Sequence, residues 1–174
     1  MGDRTKENKV YQGGTLVVCA LSLVTQWIEE AETRAGGTLS IHSYHGSHRK
    51  RDPKELSSYD IVVTTYTTLG SDMFRQAYRK QLHYVPPLNG VKWHRVILDE
   101  SHCMKDLNTQ QAKAALALNA DRRWCVSGTP VVMQLDDILN QLKFVGLPPL
   151  TTDPSTWKAF TYSKVRTAVF FLYY

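Results

Sequence analysis

The sequence is short of cysteine, of long apolar runs and of strong charge, and each shortage excludes a class of protein. Three cysteines among 174 residues, with no CxxC pair, are too few for a disulfide framework and favour a reducing compartment. No apolar run approaches the roughly 20 residues that a membrane helix needs, and the N-terminal stretch MGDRTKENKVYQGG has no signal-peptide core. A net charge of +5 fits a polyanionic partner but is shared by many basic proteins, so it decides little.

Predicted strands and helices alternate along the chain, which indicates an α/β fold with a mostly parallel sheet. Trp27 and Trp124 are predicted to be core residues. Right-handed crossovers would bring the carboxyl ends of the strands to one edge of the sheet. Short β-branched apolar runs predict strands at 15–20, 38–44, 59–66, 93–100 and 122–128, and apolar spacing predicts helices at 22–35, 107–120 and 135–146, with a further helical segment before residue 82.

An apolar strand ends in two adjacent carboxylates, Asp99 and Glu100, with His102 two positions on. The carboxyl ends of parallel strands are where open α/β sheets place their ligand chemistry. A carboxylate there can hold Mg²⁺, and its neighbour can orient or deprotonate a water molecule. A solvated acidic pair at a strand end, with an ordinary surface histidine, explains the same residues about equally well.

A second polar turn follows the fifth predicted strand. Ser127 and Thr129 offer hydroxyl groups, and Gly128 shapes the bend between them. If the fourth and fifth strands are neighbours, this turn lies beside Asp99. Taken alone, the turn is more simply explained as an ordinary connection from a strand to a helix.

Two further strand ends carry hydroxyl groups. Ser22 is the predicted N-cap of the first helix, whose free N–H groups would face the same edge and could bind phosphate. Thr64 and Thr65 end the third strand, and their hydroxyls could also contact phosphates. Cap and turn chemistry is the more common role for such residues. The basic run at 48–51 could add salt-dependent affinity for nucleic acid, although a solvated surface run is the more common case.

In this order, these stretches resemble the motifs of one protein family. The chain is similar to the N-terminal ATP-binding lobe of Swi/Snf-type DNA-dependent ATPases, within superfamily-two helicases. The later stretch LDDILNQLKFVGLPPL is similar to their Rad-type branch, which includes helicase-like transcription factor. The blocks that carry the resemblance are TLVVCALSLVTQWIEE (motif Ia), YHG at 44–46, YDIVVTTYTTL at 59–69 (with motif Ib), ILDESH (motif II, the DExH box) and RRWCVSGTP (motif III).

The resemblance implies a RecA-like three-layer α/β lobe, incomplete because the first strand and the phosphate-binding P-loop are missing. Residues 15–148 would form this partial lobe, after a disordered leader at 1–14 and before a poorly defined C-terminal extension at 149–174. The implied function is that of an ATP-hydrolysing, DNA-dependent translocase in chromatin remodelling or DNA repair, in the nucleus. Its cofactors would be ATP and Mg²⁺. Its partners would be double-stranded DNA or chromatin and the remainder of a full-length ATPase, with no membrane.

The resemblance also implies a role for each candidate residue. Asp99 would hold the Mg²⁺ of bound ATP, and Glu100 would activate the attacking water. Phosphate contacts carry no base information, so DNA binding would be independent of sequence. The other candidates are residues that couple the nucleotide site to DNA movement (His102, Ser127, Gly128 and Thr129) and residues that contact one DNA strand (Ser22, Thr64 and Thr65).

One family motif is absent from the sequence. No G-x-x-x-x-G-K-[ST] string occurs, although this loop supplies the amide cradle and the lysine that hold the phosphates of ATP. We therefore expect a fragment that is inactive alone, and whether the chain is an enzyme stays open. Two alternatives remain. One is a non-catalytic module that keeps the fold and binds nucleic acid or a partner; the other is a metal-dependent hydrolase built on Asp99, Glu100 and His102.

Overall fold

The computed structural model describes residues 10–78, 85–128 and 136–147, together with 153, 155 and 156; of these, the side chains of 74–78, 102, 105, 136 and 137 are not described. Parallel strands form a five-stranded sheet, which confirms the predicted α/β fold. The strands are β1 (Tyr11–Cys19), β2 (Ile41–Tyr44), β3 (Ile61–Thr65), β4 (Val91–Asp99) and β5 (Asn119–Val126). The helices are α1 (Val24–Ala35), α2 (Pro53–Leu56), α3 (Tyr66–Tyr78), α4 (Gln110–Leu116) and α5 (Asp136–Val145), with 3₁₀ turns at Leu21–Leu23, Pro87–Gly90 and Ser101–Lys105.

The strand order β2-β3-β1-β4-β5 places β1 at the centre of the sheet. Val17 of β1 pairs with Val63 of β3 on one side and with Ile97 of β4 on the other. Successive side chains of a strand point to opposite faces. Leu16 accordingly belongs to the larger core cluster and Val17 to the smaller one. The continuous apolar runs in the sequence follow from a parallel sheet that is covered on both faces.

Helices cover both faces and produce the predicted three layers. Leu69 of α3 and Ala112 of α4 belong to the larger cluster. Val24 of α1 belongs to the smaller cluster, and Trp27 and Ile28 of the same helix pack against it. In the described part of the chain, no helix combines the length and apolar character needed to cross a membrane.

The central strand β1 begins at Tyr11, so the prediction of a disordered leader is wrong for residues 11–14. Two glycines permit a close approach between neighbouring strands here. A β-carbon on Gly13 would lie 2.5 Å from a side-chain carbon of β4, and one on Gly14 would lie 2.2 Å from the carbonyl oxygen of Asp60. A Gly-Gly pair that resembles a linker in the sequence therefore serves close packing in the sheet.

Tertiary pairing also moves other predicted boundaries. The helix predicted at 107–120 ends at Leu116, because Asn119 and Ala120 already pair with β4 as the start of β5. The prediction of Ser22 as an N-cap is wrong, because this residue lies within a 3₁₀ turn and α1 begins after it without a side-chain cap. Local patterns thus locate the elements, whereas contacts with other elements set their ends.

Trp124 is not the core residue that its size and setting predicted. Its side chain is 47% exposed, and that of Val126 on the same strand is 44% exposed. Within the described residues, β5 pairs with β4 alone and is the last strand of the sheet. An apolar run predicts burial only if both faces of the strand are covered, and the face of β5 that carries Trp124 and Val126 is exposed.

Candidate functional site

The carboxyl ends of the strands form one rim of the sheet. Val18 of β1 pairs with Thr64 of β3 and with Leu98 of β4, so these three strands end almost level with one another. Cys19, the last residue of β1, pairs with Thr65, the last residue of β3. This rim is the edge at which a parallel α/β sheet presents its ligand-binding residues.

Asp99 and the predicted Ser-Gly-Thr turn meet at this rim. Asp99 at the end of β4 pairs with Val126 at the end of β5, and Ser127 and Gly128 follow directly. The condition set by the sequence is therefore met: β4 and β5 are neighbours, and the start of the turn lies beside Asp99. Thr129 lies outside the described residues.

Three hydrogen bonds hold Asp99 in place. The indole Nε1 of Trp27 donates to Oδ2 of Asp99 at 2.7 Å, and the backbone N–H of Glu100 donates to Oδ1 at 2.9 Å. The hydroxyl of Tyr66 donates to the backbone carbonyl of Asp99 at 2.8 Å. We call Asp99, Glu100, Trp27 and Tyr66 the Asp99 site. Its central carboxylate is oriented at both oxygens by donors that carry no charge.

This arrangement leaves the carboxylate suited to a hard cation. Among the described side chains, no lysine or arginine forms an ion pair with Asp99. Each carboxylate oxygen has more than one lone pair, so one hydrogen bond per oxygen does not exhaust it. Oxygen ligands of this kind fit Mg²⁺.

Glu100 has an unusual backbone for a residue with a side chain. Its φ of 49° and ψ of 52° lie in the left-handed region, which residues other than glycine rarely adopt. This conformation turns the chain at the end of β4 into the 3₁₀ turn Ser101–Lys105. Such strain is frequent at functional sites. His102 lies in that turn, but its predicted role falls on a side chain outside the described ones.

Burial keeps the neighbouring thiols and phenol of the rim neutral. Burial, together with the nearby Asp99 carboxylate, raises the pKa of Cys19 to about 11. Burial raises the pKa of Cys125 to about 12 and that of Tyr66 well above its ordinary value. These groups therefore stay protonated at neutral pH, and neither of the two thiols can serve as a thiolate nucleophile.

A buried glutamine of α5 connects the turn that follows β4 with the end of β5. Ser101 Oγ donates to Oε1 of Gln141 at 3.0 Å, and the Cys125 thiol lies 3.8 Å from the Gln141 carbonyl oxygen. Ser101 is fully buried. This helix was predicted from its apolar spacing alone, and its polar Gln141 side chain contacts the turn after Asp99.

The structure contradicts two of the three predicted DNA contacts. Thr64 is fully buried and its hydroxyl donates to the backbone carbonyl of Tyr44 at 2.9 Å. Thr65 is 1% exposed, and its hydroxyl oxygen accepts the backbone N–H of Thr68, so it caps α3. Both hydroxyls are already used inside the protein. Ser22 is exposed, and its predicted contact stays a prediction.

The basic run at 48–51 is only partly a surface feature. Arg49, with 8% of its side chain exposed, pairs with the buried Asp72 at 2.6 Å. The hydroxyl of Tyr44 donates to the other oxygen of Asp72 at 2.6 Å, and Arg51 approaches at 3.6 Å. We call Tyr44, Arg49, Arg51 and Asp72 the Asp72 cluster. Arg49 is therefore neither a DNA-binding nor a solvated surface residue. It is buried and forms part of the structure.

Trp27 is the site residue that the sequence did not reveal. Its helical spacing predicted a core role, and its ring does pack against the smaller cluster. The missed signal is the indole N–H, which requires an acceptor when a tryptophan is buried. Among the described side chains, no group of three or more His, Cys, Asp or Glu could hold a metal ion on its own.

Comparison with known proteins agrees with this geometry. A family model described as the SNF2-related domain matches residues 3–167. The chain belongs to the SNF2-related family. DNA repair protein RAD5A of Arabidopsis thaliana is 37% identical over 148 residues, which cover 84% of this chain. The helicase-like transcription factor of Oryctolagus cuniculus is 39% identical over 145 residues, which cover 82% of this chain.

A solved structure of the same family has the same fold. The Sulfolobus solfataricus SWI2/SNF2 ATPase core in complex with dsDNA matches 84% of this chain with a TM-score of 0.63 and 28% identity. The resemblance to Swi/Snf-type ATPases, their RecA-like lobe and their Rad-type branch is thereby confirmed, and SNF2 family membership implies nucleotide use. The chain spans 14% of the length of RAD5A and of the rabbit relative, and 27% of the solved chain.

Proposed function

We propose that this chain is part of the ATPase lobe of a DNA-dependent, ATP-hydrolysing translocase that acts in DNA repair or chromatin remodelling in the nucleus. The observation that carries the proposal is the pairing of Asp99 with Val126, which brings the carboxylate pair next to Ser127 at one rim. Relatives named for DNA repair, transcription and transcription termination support the nuclear setting. The neighbour solved with dsDNA supports duplex DNA or chromatin as the partner.

The two carboxylates would divide the chemistry of hydrolysis between them. Mg²⁺ bound with ATP neutralises charge on the phosphates. Asp99 would hold the ion, because its oxygens are oriented by neutral donors and form no described ion pair. Glu100, which follows it at the turn, would orient the attacking water and accept its proton. The cradle for the phosphates would come from the remainder of a full-length ATPase, since this sequence has no G-x-x-x-x-G-K-[ST] loop.

Coupling between nucleotide and DNA would run through the segments that follow β4 and β5. Ser127 and Gly128 follow the strand that pairs with Asp99. Gln141 contacts Ser101 in the turn after β4 and Cys125 near the end of β5, so a movement of that turn would be transmitted to the strand that leads into Ser127. His102 and Thr129 stay candidates for the same role.

Contact with DNA would involve exposed hydroxyls at the rim. Ser22, after β1, remains a candidate because its side chain is exposed. Thr67, at the start of α3, is exposed too, and its hydroxyl lies 3.0 Å from that of Thr65. We propose Thr67 in place of the buried Thr64 and Thr65. Such contacts would be made to phosphates and would be independent of base sequence.

The proposal is tested with a chimera and with the chain itself. In the chimera, residues 11–147 replace the matching segment of a full-length helicase-like transcription factor. We expect DNA-stimulated phosphate release from the chimera, and a loss of roughly 100-fold or more on Glu100→Gln. The matched control is Glu29→Gln, an exposed glutamate of α1, which should leave turnover unchanged. The chain alone should release no phosphate.

Two results would contradict the proposal in different ways. A folded chimera that hydrolyses no ATP, with or without DNA, would remove the catalytic role of this segment. DNA-stimulated turnover by the chain alone, abolished by Glu100→Gln, would leave the chemistry intact but show that the expectation of inactivity is wrong.

A non-catalytic module that binds nucleic acid or a partner is the second candidate. The neighbour solved with dsDNA fits binding of duplex DNA by such a module. This reading predicts salt-dependent binding of duplex DNA by the chain together with an inactive chimera, whereas the first reading requires an active one.

A further inference from the structure

We propose that Trp27 is a positioning residue, whose indole N–H holds the Asp99 carboxylate in the orientation that accepts a divalent cation. The inference rests on the proposed function, in which Asp99 is the Mg²⁺ ligand. It assigns a role to a residue of α1 in a site that otherwise consists of the end of β4, the turn after it and the start of α3. The bond from Nε1 to Oδ2 measures 2.7 Å and joins residues 72 positions apart in the chain.

The donor is fixed by packing on its other side. The ring of Trp27 packs against the smaller core cluster, which contains Val17, Val24 and Val63. A ring held on its apolar surface has little freedom to turn its N–H elsewhere. The N···O distance is short, as expected for a neutral donor that faces an ionised acceptor.

The carboxylate is held at both of its oxygens. Oδ2 accepts from Trp27 and Oδ1 accepts from the backbone N–H of Glu100. Together these bonds define the side-chain rotamer of Asp99 and leave the remaining lone pairs of the oxygens for a cation. Removing the indole N–H would leave one oxygen without its partner and let the carboxylate rotate. Groups that orient a metal ligand in this way commonly contribute roughly 10–100-fold to metal affinity.

The first experiment examines the hydrogen bond without metal, nucleotide or DNA. The indole ¹H–¹⁵N cross-peaks of the full chain are compared between wild type and Asp99→Asn, with the Trp27 peak assigned from its loss in Trp27→Phe. We expect the Trp27 peak to move. The Trp93 peak should stay, because its indole donates to the carbonyl oxygen of Leu88 at 3.0 Å, within the core. A Trp27 peak whose position is unchanged by Asp99→Asn would overturn the inference and leave the proposed function untouched.

The second experiment measures the binding of Mn²⁺ alone by electron paramagnetic resonance, as an oxygen-preferring substitute for Mg²⁺. We expect Trp27→Phe, which keeps an aromatic ring but removes the N–H, to weaken binding roughly tenfold or more. Trp124→Phe is the matched control, because the same change at an exposed residue of β5 should leave affinity unchanged. The Trp93 peak reports whether each variant is folded.

The outcomes separate the two proposals. Binding weakened by Asp99→Asn but not by Trp27→Phe would overturn the role of Trp27 and leave Asp99 as the ligand. Mn²⁺ binding that is unaffected by Asp99→Asn would remove the metal role of Asp99 and this inference with it.

Discussion

Two clusters lie near the same end of the sheet and treat their central carboxylates in opposite ways. In the Asp72 cluster, Arg49 forms an ion pair with Asp72 at 2.6 Å, and both side chains are more than nine-tenths buried. In the Asp99 site, Trp27 and the backbone of Glu100 donate to Asp99, and no described lysine or arginine side chain forms an ion pair with it. The Asp72 carboxylate is paired with a cation of the protein, whereas the Asp99 carboxylate is oriented by neutral donors and has no described cationic partner.

The difference indicates which carboxylate serves structure and which serves a ligand. A buried charge without a counter-charge is costly, so Asp72 and Arg49 stabilise the fold only as a pair. A carboxylate that must bind a cation cannot already be paired with one. Substitutions in the Asp99 site should therefore lower the free energy of unfolding less than substitutions in the Asp72 cluster, and should impair function more. The following changes test that contrast.

The largest loss of stability is expected for Asp72→Asn. The change leaves Arg49 buried without a counter-charge, and removal of one partner of a buried ion pair costs about 3–5 kcal/mol. The measurement is the free energy of unfolding from urea denaturation, followed by circular dichroism. A variant as stable as wild type would show that Arg49 and Asp72 do not form a buried ion pair in solution.

A smaller loss is expected for Tyr44→Phe. The change removes the hydroxyl that donates to Oδ2 of Asp72 at 2.6 Å but keeps the buried ring and the ion pair with Arg49. Hydrogen bonds to charged groups contribute about 1.5–3 kcal/mol. The same urea titration measures the loss, and a cost equal to that of Asp72→Asn would mean that the tyrosine, rather than the arginine, dominates the cluster.

Asp99→Asn should destabilise the fold by only about 1 kcal/mol, because Asp99 is partly exposed, the amide oxygen of asparagine still accepts one of the two N–H bonds, and no buried cation loses its partner. Its effect on function should be large, since the variant removes the proposed metal ligand. Urea denaturation and Mn²⁺ binding on the same samples make the comparison direct. Equal destabilisation by Asp99→Asn and Asp72→Asn would erase the distinction between the two clusters.

The smallest effect is expected for Glu30→Gln, which breaks the exposed pair with Arg34. The two side chains are 57% and 82% exposed, so solvent screens the pair and the expected change is below about 0.5 kcal/mol. This variant calibrates the method for an ion pair at the surface. A loss comparable with that of Tyr44→Phe would show that burial does not set the scale of these effects.

The sequence by itself determined the alternation of strands and helices, the strand that ends at Asp99 and the family to which the motifs belong. Apolar periodicity and short motifs are local, so they can be read along the chain without knowing how the strands pair. The sequence could say only that Ser127 would lie beside Asp99 if the fourth and fifth strands were neighbours. The pairing of Asp99 with Val126 shows that they are.

Only the tertiary structure decided which polar residues are used up inside the fold. In the folded chain, Thr64 is buried and Arg49 forms an ion pair with Asp72. Trp124 is exposed on the last described strand, and Trp27 donates a hydrogen bond to Asp99. These outcomes depend on contacts between residues far apart in the chain, and such contacts follow from the order of strands and the faces that helices cover. No local pattern contains that information, because the same residue types can be buried and paired in one arrangement and exposed in another.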